Sequence, residues 1–314
     1  MADLQTKRRL FQGGFFILFV LAPVFDLFRL DLQQHHFFIL GMGWSLGIDD
    51  LLAHRISPLE AGLNIVLRGF LPILLVIGTG VAVSWKFGRL YCGWLCPHFS
   101  VVETLNQILR RAIGRFSVWE RKSLPEQDTG AERVTSHRVW LLLWLPLALG
   151  FAFVWATVLL TYLLPPELIY DNLWHGTLTR NQSLFIGIGT GVFFLEFTLA
   201  RHLFCRFGCA IGLFQSLVWM ANRRAMVITF DRRQSAACLE CTNACDNACP
   251  MRLKPRTLKR HMFTCTQCGR CISACRTAQG DRAPLYWSAG WAALNKSDRH
   301  RAPPGRVIPI IPGP

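Results

Sequence analysis

Four long apolar stretches, separated by polar loops of unequal charge, set the organisation of this chain. Residues 11–28 are apolar apart from Gln12 and Asp26, and the run is long enough to cross a bilayer as a helix. A second span is expected over 69–85, with Arg68 at its edge. The third, 139–164, is the longest and most apolar, and the fourth, 184–200, carries Glu196. Residues 37–48 form a shorter apolar piece, too short to span, which the pattern places at the membrane interface. Between the second and third spans, Leu105, Ile108, Leu109 and Ala112 recur at helical spacing and predict an amphipathic helix. Pro165 and Pro166 close the third span.

The composition agrees with a membrane protein. Hydrophobic residues make up 52% of the 314 residues and charged ones only 17%, with a mean hydropathy of +0.30. The formal net charge is +15, which by itself would fit a nucleic-acid partner. Its distribution argues for lipid instead. Lys and Arg number three in residues 1–9, nine in 86–138 and eighteen in 201–314, against one each in 30–61 and 165–182. By the positive-inside rule both termini and the middle loop face the cytoplasm, and no nucleic acid is expected as a partner. No A-x-A-like site follows the first apolar run, which therefore reads as a retained anchor. All twelve cysteines then lie on the reducing side, where thiolates stay free for metals.

Eight of those cysteines fall between Cys238 and Cys275. Cys265, Cys268, Cys271 and Cys275 form the C-x-x-C-x-x-C-x-x-x-C run that wraps a [4Fe–4S] cube, the fourth Cys reaching to the other cluster of a pair. Cys238, Cys241, Cys245 and Cys249, followed by Pro250, repeat the run with one extra residue. Crosswise ligation predicts one cluster on Cys238, Cys241, Cys245 and Cys275, and another on Cys265, Cys268, Cys271 and Cys249. Structural zinc also uses C-x-x-C pairs, though at looser spacing, and a disulfide framework belongs to small secreted domains.

The remaining four cysteines come in two matched pairs. LYCGWLC (90–96) and LFCRFGC (203–209) align without gaps, each just past the cytoplasmic end of an even-numbered span. The chain thus reads as a duplicated two-span unit with a C-x-x-x-C motif. If the motifs are helical, Cys92 and Cys96 share one face, as do Cys205 and Cys209. Four thiolates meeting across a pseudo-two-fold axis would make a third, redox or metal, site for iron, an iron–sulfur group or copper. Simple packing of small Cys side chains is the plainer alternative. His98 and His202 flank the motifs and are candidate ligands.

GRLYCGWLCP after a span, a second such pair and a two-cluster segment resemble the membrane-bound polyferredoxins. Within these, the pattern is most similar to the CcoG/FixG/RdxA proteins of cbb-type cytochrome oxidase assembly, with NapH, MauN and the C-terminal half of NosR as relatives. The resemblance covers about residues 10–278. It implies electron transfer through two [4Fe–4S] clusters, either to reduce Cu(II) in maturing a respiratory enzyme or, as in the NapH and NosR types, to pass electrons from quinol or a cytoplasmic donor to a partner reductase. A cupric reductase or a quinol dehydrogenase subunit is the implied activity. The sequence departs from the pattern at Ala210 and Arg276, where Pro is expected, and it lacks a counterpart of the later span and outer β-sandwich domain of CcoG proteins.

The expected architecture is mainly α: a four-span inner-membrane domain over 1–225, a dicluster ferredoxin-type domain over 226–278 and a disordered tail over 279–314. Asp26 and Arg68 sit near span ends, where snorkelling accounts for them, whereas Glu196 is a candidate for a proton or quinone role. Gly187, Gly189 and Gly191 lie within the fourth span as small helix-packing residues, Gly187 and Gly191 at the four-residue spacing, and Gly78 and Gly80 read likewise. Arg252, Lys254, Arg256, Lys259 and Arg260 are placed to meet an acidic electron donor or lipid headgroups. A non-redox membrane scaffold with structural zinc is the alternative of another class.

Overall fold

The structure, a computed structural model, describes residues 2–32, 36–121, 123–124, 135–239 and 241–293. Its elements are mostly helical. Helix α1 runs Ala2–Leu21 and stops because Pro23 cannot continue it. The chain then turns and enters a three-stranded antiparallel sheet, β1 (Phe28–Asp31), β2 (His36–Ile39) and β3 (Met42–Trp44). The first apolar stretch is therefore helical only to Leu21, and the short piece at 37–48 folds as a hairpin through Leu40 and Gly41. Leu30 and Leu32 donate to the carbonyls of Tyr162 and Leu163, so the sheet caps the end of the third apolar helix. Arg29 pairs with Asp26 and, at 2.8 Å, with the fully buried Asp31, which explains the acid near that span end.

A single turn α2 (Ile48–Leu52) precedes α3 (Pro58–Asn64), a π-helical stretch (Ile65–Phe70) and α4 (Leu71–Phe87). Together these make one continuous helix, Pro58–Phe87. It begins ahead of the expected 69 because Ser57 accepts from the Glu60 amide while the Glu60 carboxylate accepts from that of Ser57, a capping box with Pro at the first helical position. After α5 (Leu90–Trp94) and α6 (Pro97–Ile113) come α7 (Trp140–Thr161) and α8 (Pro166–His175). Helix α9 (Arg180–Leu195) starts at a second capping box, Thr179 with Gln182, and continues as a π-helical stretch to Ala200. Among the described residues, three helices are long and apolar enough to cross a membrane: Pro58–Phe87, Trp140–Thr161 and Arg180–Ala200. Ile73–Ile77 are all more than half exposed, as lipid-facing residues are.

Helices α7 and α9 pack through small residues. Ala148, Ala152 and Ala156 are completely buried, and a Cβ on Gly189 would come within 3.1 Å of the Ala156 Cβ. The close approach is made at Gly189; Gly187 and Gly191, chosen from spacing, have open space where a side chain would be, as do Gly78 and Gly80.

Beyond α9 a π-helical turn (Phe204–Gly208) leads to α10 (Ala210–Ala221), then β4 (Val227–Phe230), α11 (Ala244–Asn247), α12 (Arg270–Gln279) and β5 (Leu285–Ser288). Strands β4 and β5 pair antiparallel, Val227 opposite Ser288 and Phe230 opposite Leu285. The tail expected to be disordered from Gln279 is thus ordered over 279–293, because Leu285 and Ala293 are buried in the cysteine-rich core; residues 294–314 of that tail lie outside the described residues. The repeats also interlock: α6, which follows the first cysteine pair, packs on α7 and the end of the second pair's span, while α10 packs on α4.

Candidate functional site

Each paired-cysteine motif is entered by the same reversal. Helix α4 ends at Gly88, whose φ is +69° and whose missing side chain leaves room for the Trp219 ring, 2.9 Å from where a Cβ would sit. The equivalent position in the second repeat, Arg201, also has positive φ, +52°. The first thiol of each pair, Cys92 or Cys205, is buried within a helical turn. The second ends that turn and stands at the N-cap of the next helix, Cys96 before α6 and Cys209 before α10, where the Cys209 sulfur accepts from the Gly212 amide. The pairs therefore do not sit one turn apart on one helix, as helical motifs would. In the first pair Pro97 fixes the backbone at the start of α6, and the second makes the same bend with Ala210 in that place.

The four thiols nevertheless lie together. Burial pushes Cys96 up to about 11, with Cys92 and Cys209 close enough to add to it. Burial raises Cys205 well above the ordinary thiol range, with Cys96, Cys92 and Cys209 close enough to add to the effect. His98 joins this group: its Nδ1 is 3.5 Å from the Cys205 sulfur and its Nε2 is 2.7 Å from Glu196 Oε1. His202 does not. It is packed against Phe99, and burial lowers its pKa to about 3, keeping the ring neutral.

The eight other cysteines fall into two neighbourhoods. Burial raises Cys275, with Cys238 and Cys241 adding to the effect; burial raises Cys245 as well, with Asp246 and Cys275 beside it. Arg256 holds this loop by donating to Asn243 and Asp246, both at 2.9 Å. The second neighbourhood is a small pocket lined by Cys249, Cys265, Cys268 and Cys271 together with Ile228, Met251 and Met262. Burial lifts Cys249 to about 11, next to Cys268, and lifts Cys271 well above the ordinary thiol range, with Cys268, Cys249 and Cys265 around it. Thiols this deeply buried ionise only when a cation compensates them. That is the chemistry an iron–sulfur cluster supplies to its four Cys ligands; the second set fits it through deep burial, and the first, where Cys238 and Cys241 are only partly buried, through the grouping of its four thiols. Among the described residues, no three His, Cys, Asp or Glu groups stand close enough to hold a single metal ion.

Contacts that the sequence alone did not single out join these centres. Gly93, inside the first C-x-x-x-C, lies against the loop between Cys265 and Cys268: a Cβ there would come within 2.2 Å of the Thr266 carbonyl oxygen. Trp94 Nε1 donates to the Gln267 carbonyl at 3.1 Å, and Gln5 donates to that of Cys268. Glu103 on α6 ties the same elements, accepting from Arg8 of α1 at 2.6 and 2.9 Å and from Arg270 of α12 at 2.6 Å. The spacing of α6 marks Glu103 only as a polar position between Val102 and Thr104; its role requires the tertiary fold.

The profile of a family described as 4Fe-4S binding domain matches the chain twice, over residues 69–115 and 181–226. Each match holds the end of a span and one C-x-x-x-C pair, so the duplication read from the sequence is a duplication of this domain. Over 277 residues the chain is 25% identical to an uncharacterized protein of Methanocaldococcus jannaschii, covering 88% of this chain and 94% of that protein. It is 23% identical over 282 residues to the ferredoxin-type protein NapH of Haemophilus influenzae, covering 85% of each. Identity to the nitrogen fixation protein FixG of Rhizobium meliloti is 24% over 233 residues, 65% of this chain and 40% of FixG. No solved structure matches. The chain is homologous to ferredoxin-type proteins of the NapH, FixG and MauN kind, as the resemblance of its cysteine motifs implies.

Proposed function

We propose that this protein is a membrane-anchored iron–sulfur electron carrier of the cytoplasmic face of a bacterial inner membrane. In this reading four spans, α1 with its following residues counted as the first, leave both termini and all cysteines in the cytoplasm. Cys238, Cys241, Cys245 and Cys275 would hold an outer [4Fe–4S] cluster, and Cys249, Cys265, Cys268 and Cys271 an inner one. Bound there, the clusters supply reversible one-electron carriage. The observation that carries the reading is the junction at Gly93: backbone contact there seats the Cys92–Cys96 motif directly on the inner cluster's loop. Electrons from a cytoplasmic donor thus have a packed route to the four paired thiols, which would have to draw closer together to hold a third metal.

What those thiols serve is the finer part of the proposal. A convergence of four soft sulfurs with His98 supports reduction of Cu(II), each ion taking one electron, in the maturation of a respiratory oxidase or reductase. A second reading, oxidation of quinol for a partner reductase, is supported by an apolar cleft beside Leu95, lined by Leu10, Phe11, Gly14, Phe15 and Leu18 of α1. The two separate in one experiment. Dithionite-reduced protein freed of reductant is mixed anaerobically with Cu(II) and a Cu(I)-specific chelator, or with a short-chain quinone. Copper reduction should follow, at least tenfold slower in C92S/C205S. Reoxidation by quinone with no dependence on these cysteines in copper reduction would select the quinol reading, and reoxidation by neither would refute both.

A further inference from the structure

Arg89 stands one residue before the first motif and is completely buried. Its guanidinium fills the space beside Gly212, the third residue of α10, where a Cβ would come 2.0 Å from Nη2. Nη2 donates to the Cys205 carbonyl at 2.6 Å, and the Cys92 thiol lies within hydrogen-bonding reach of the guanidinium, while no oxygen or nitrogen acceptor among the described residues meets Nε or Nη1. Two other buried arginines hold carboxylates, Arg8 with Glu103 and Arg29 with Asp26 and Asp31, whereas Arg201 donates to the Phe116 carbonyl, leaves Nε and Nη2 without a partner among the described residues and feels the charge of Glu120. Among the described residues Arg89 has no carboxylate partner, and an uncompensated buried guanidinium is strongly unfavourable. Its neighbours are sulfur: Cys92 and Cys205 of the paired site and Cys265 of the inner neighbourhood all fall within its electrostatic reach. The cation therefore occupies the junction between the two sites. Pseudo-symmetry makes the assignment sharper, because the matching residue of the second repeat is His202, which is neutral and packed on Phe99. One repeat carries a fixed charge at this position and the other does not.

We propose that Arg89 is the fixed charge partner of the anionic redox centres on either side of this junction, and that it makes the inner one easier to reduce than the outer one. The inference rests on the iron–sulfur reading above. A cation near Cys265 stabilises the extra negative charge of the reduced inner centre. The outer group, Cys238, Cys241, Cys245 and Cys275, is instead near Arg256, which is partly exposed and already engaged by Asp246. An electron entering from the cytoplasmic side then settles inward, next to the paired thiols. Arg89 is a positioning residue in this scheme; it binds no substrate.

The test is an EPR-monitored redox titration of the full chain, purified anaerobically, in wild-type, R89K and R89Q forms, with C275S used to assign the outer signal. R89Q should lower the inner midpoint by at least a tenfold change in the one-electron equilibrium, about 59 mV, and leave the outer one nearly fixed. R89K should stay close to wild type. An inner midpoint that ignores R89Q, or two midpoints that fall together, would overturn the proposal. If R89Q loses its inner iron, retention of that iron by R89K supports the charge role, whereas loss in both assigns Arg89 to packing and overturns it. Wild-type protein without iron would be a different failure, that of the iron–sulfur reading itself.

Discussion

Replacing Glu103 with leucine should cost about 3–5 kcal/mol, the penalty for removing one partner of a buried ion pair. Glu103 is 3% exposed, and its carboxylate is clasped by two arginines from opposite ends of the sequence, Arg8 and Arg270, with Gln12 donating as well. The loss leaves the Arg8 guanidinium, 2% exposed, without its counter-charge. Burial by itself would raise the Glu103 pKa, but Arg270 and Arg8 outweigh it and hold the group at about 2. The sign of the pH dependence follows. A carboxylate whose folded pKa lies below its unfolded value of 4.5 stabilises the fold above pH 4.5 and loses that contribution as pH falls toward 2. Chemical denaturation in detergent should show a wild-type midpoint that drops across pH 4.5 to 2, and a lower E103L midpoint with a shallower drop. Equal midpoints at pH 7 would mean the clasp is energetically idle.

Gly93→Ala should separate the paired-cysteine motif from the inner cysteine loop. The obstructing atom is a backbone carbonyl, Thr266 O, at 2.2 Å from the new Cβ, so the backbone must move. Overpacking of this kind costs about 1–3 kcal/mol. It would also disturb the Gly93 carbonyl, which accepts from both Arg8 and Gln12. Both ferredoxin-type clusters should be retained, since no cysteine of either donor set is touched. The expected result is normal iron content with slowed, cysteine-dependent copper or quinone reduction. Wild-type rates and stability in G93A would show that this contact does not carry the electron path.

Local signals made much of this fold legible. Ser57-Pro-Leu-Glu60 and Thr179-Arg-Asn-Gln182 are capping boxes readable from the sequence, and they place two helix starts ahead of where hydropathy does. The gapless match of LYCGWLC to LFCRFGC announced the duplication, and the related backbone turns at Gly88 and Arg201 follow from it. Hydropathy failed over residues 22–32 and 36–44, where the end of one apolar run and the start of another look like span and interface but fold as turns and a three-stranded sheet; strands buried on one side need not alternate cleanly. The tail misled for a similar reason: Pro and Gly around 279–293 hid a four-residue strand whose partner, β4, is more than fifty residues away. Arg89 and Glu103 could not be found by pattern, because a charged residue in an apolar context acquires its meaning only from what surrounds it in space.

The central claim is tested most directly by elemental analysis of anaerobically purified wild-type and C275S protein. Two cubes predict about eight iron and eight sulfide per chain, or more if the paired thiols carry iron of their own. Loss of the outer cluster in C275S should bring this down by about four of each. Protein containing zinc and no iron would contradict the account and leave the structural-scaffold reading in its place.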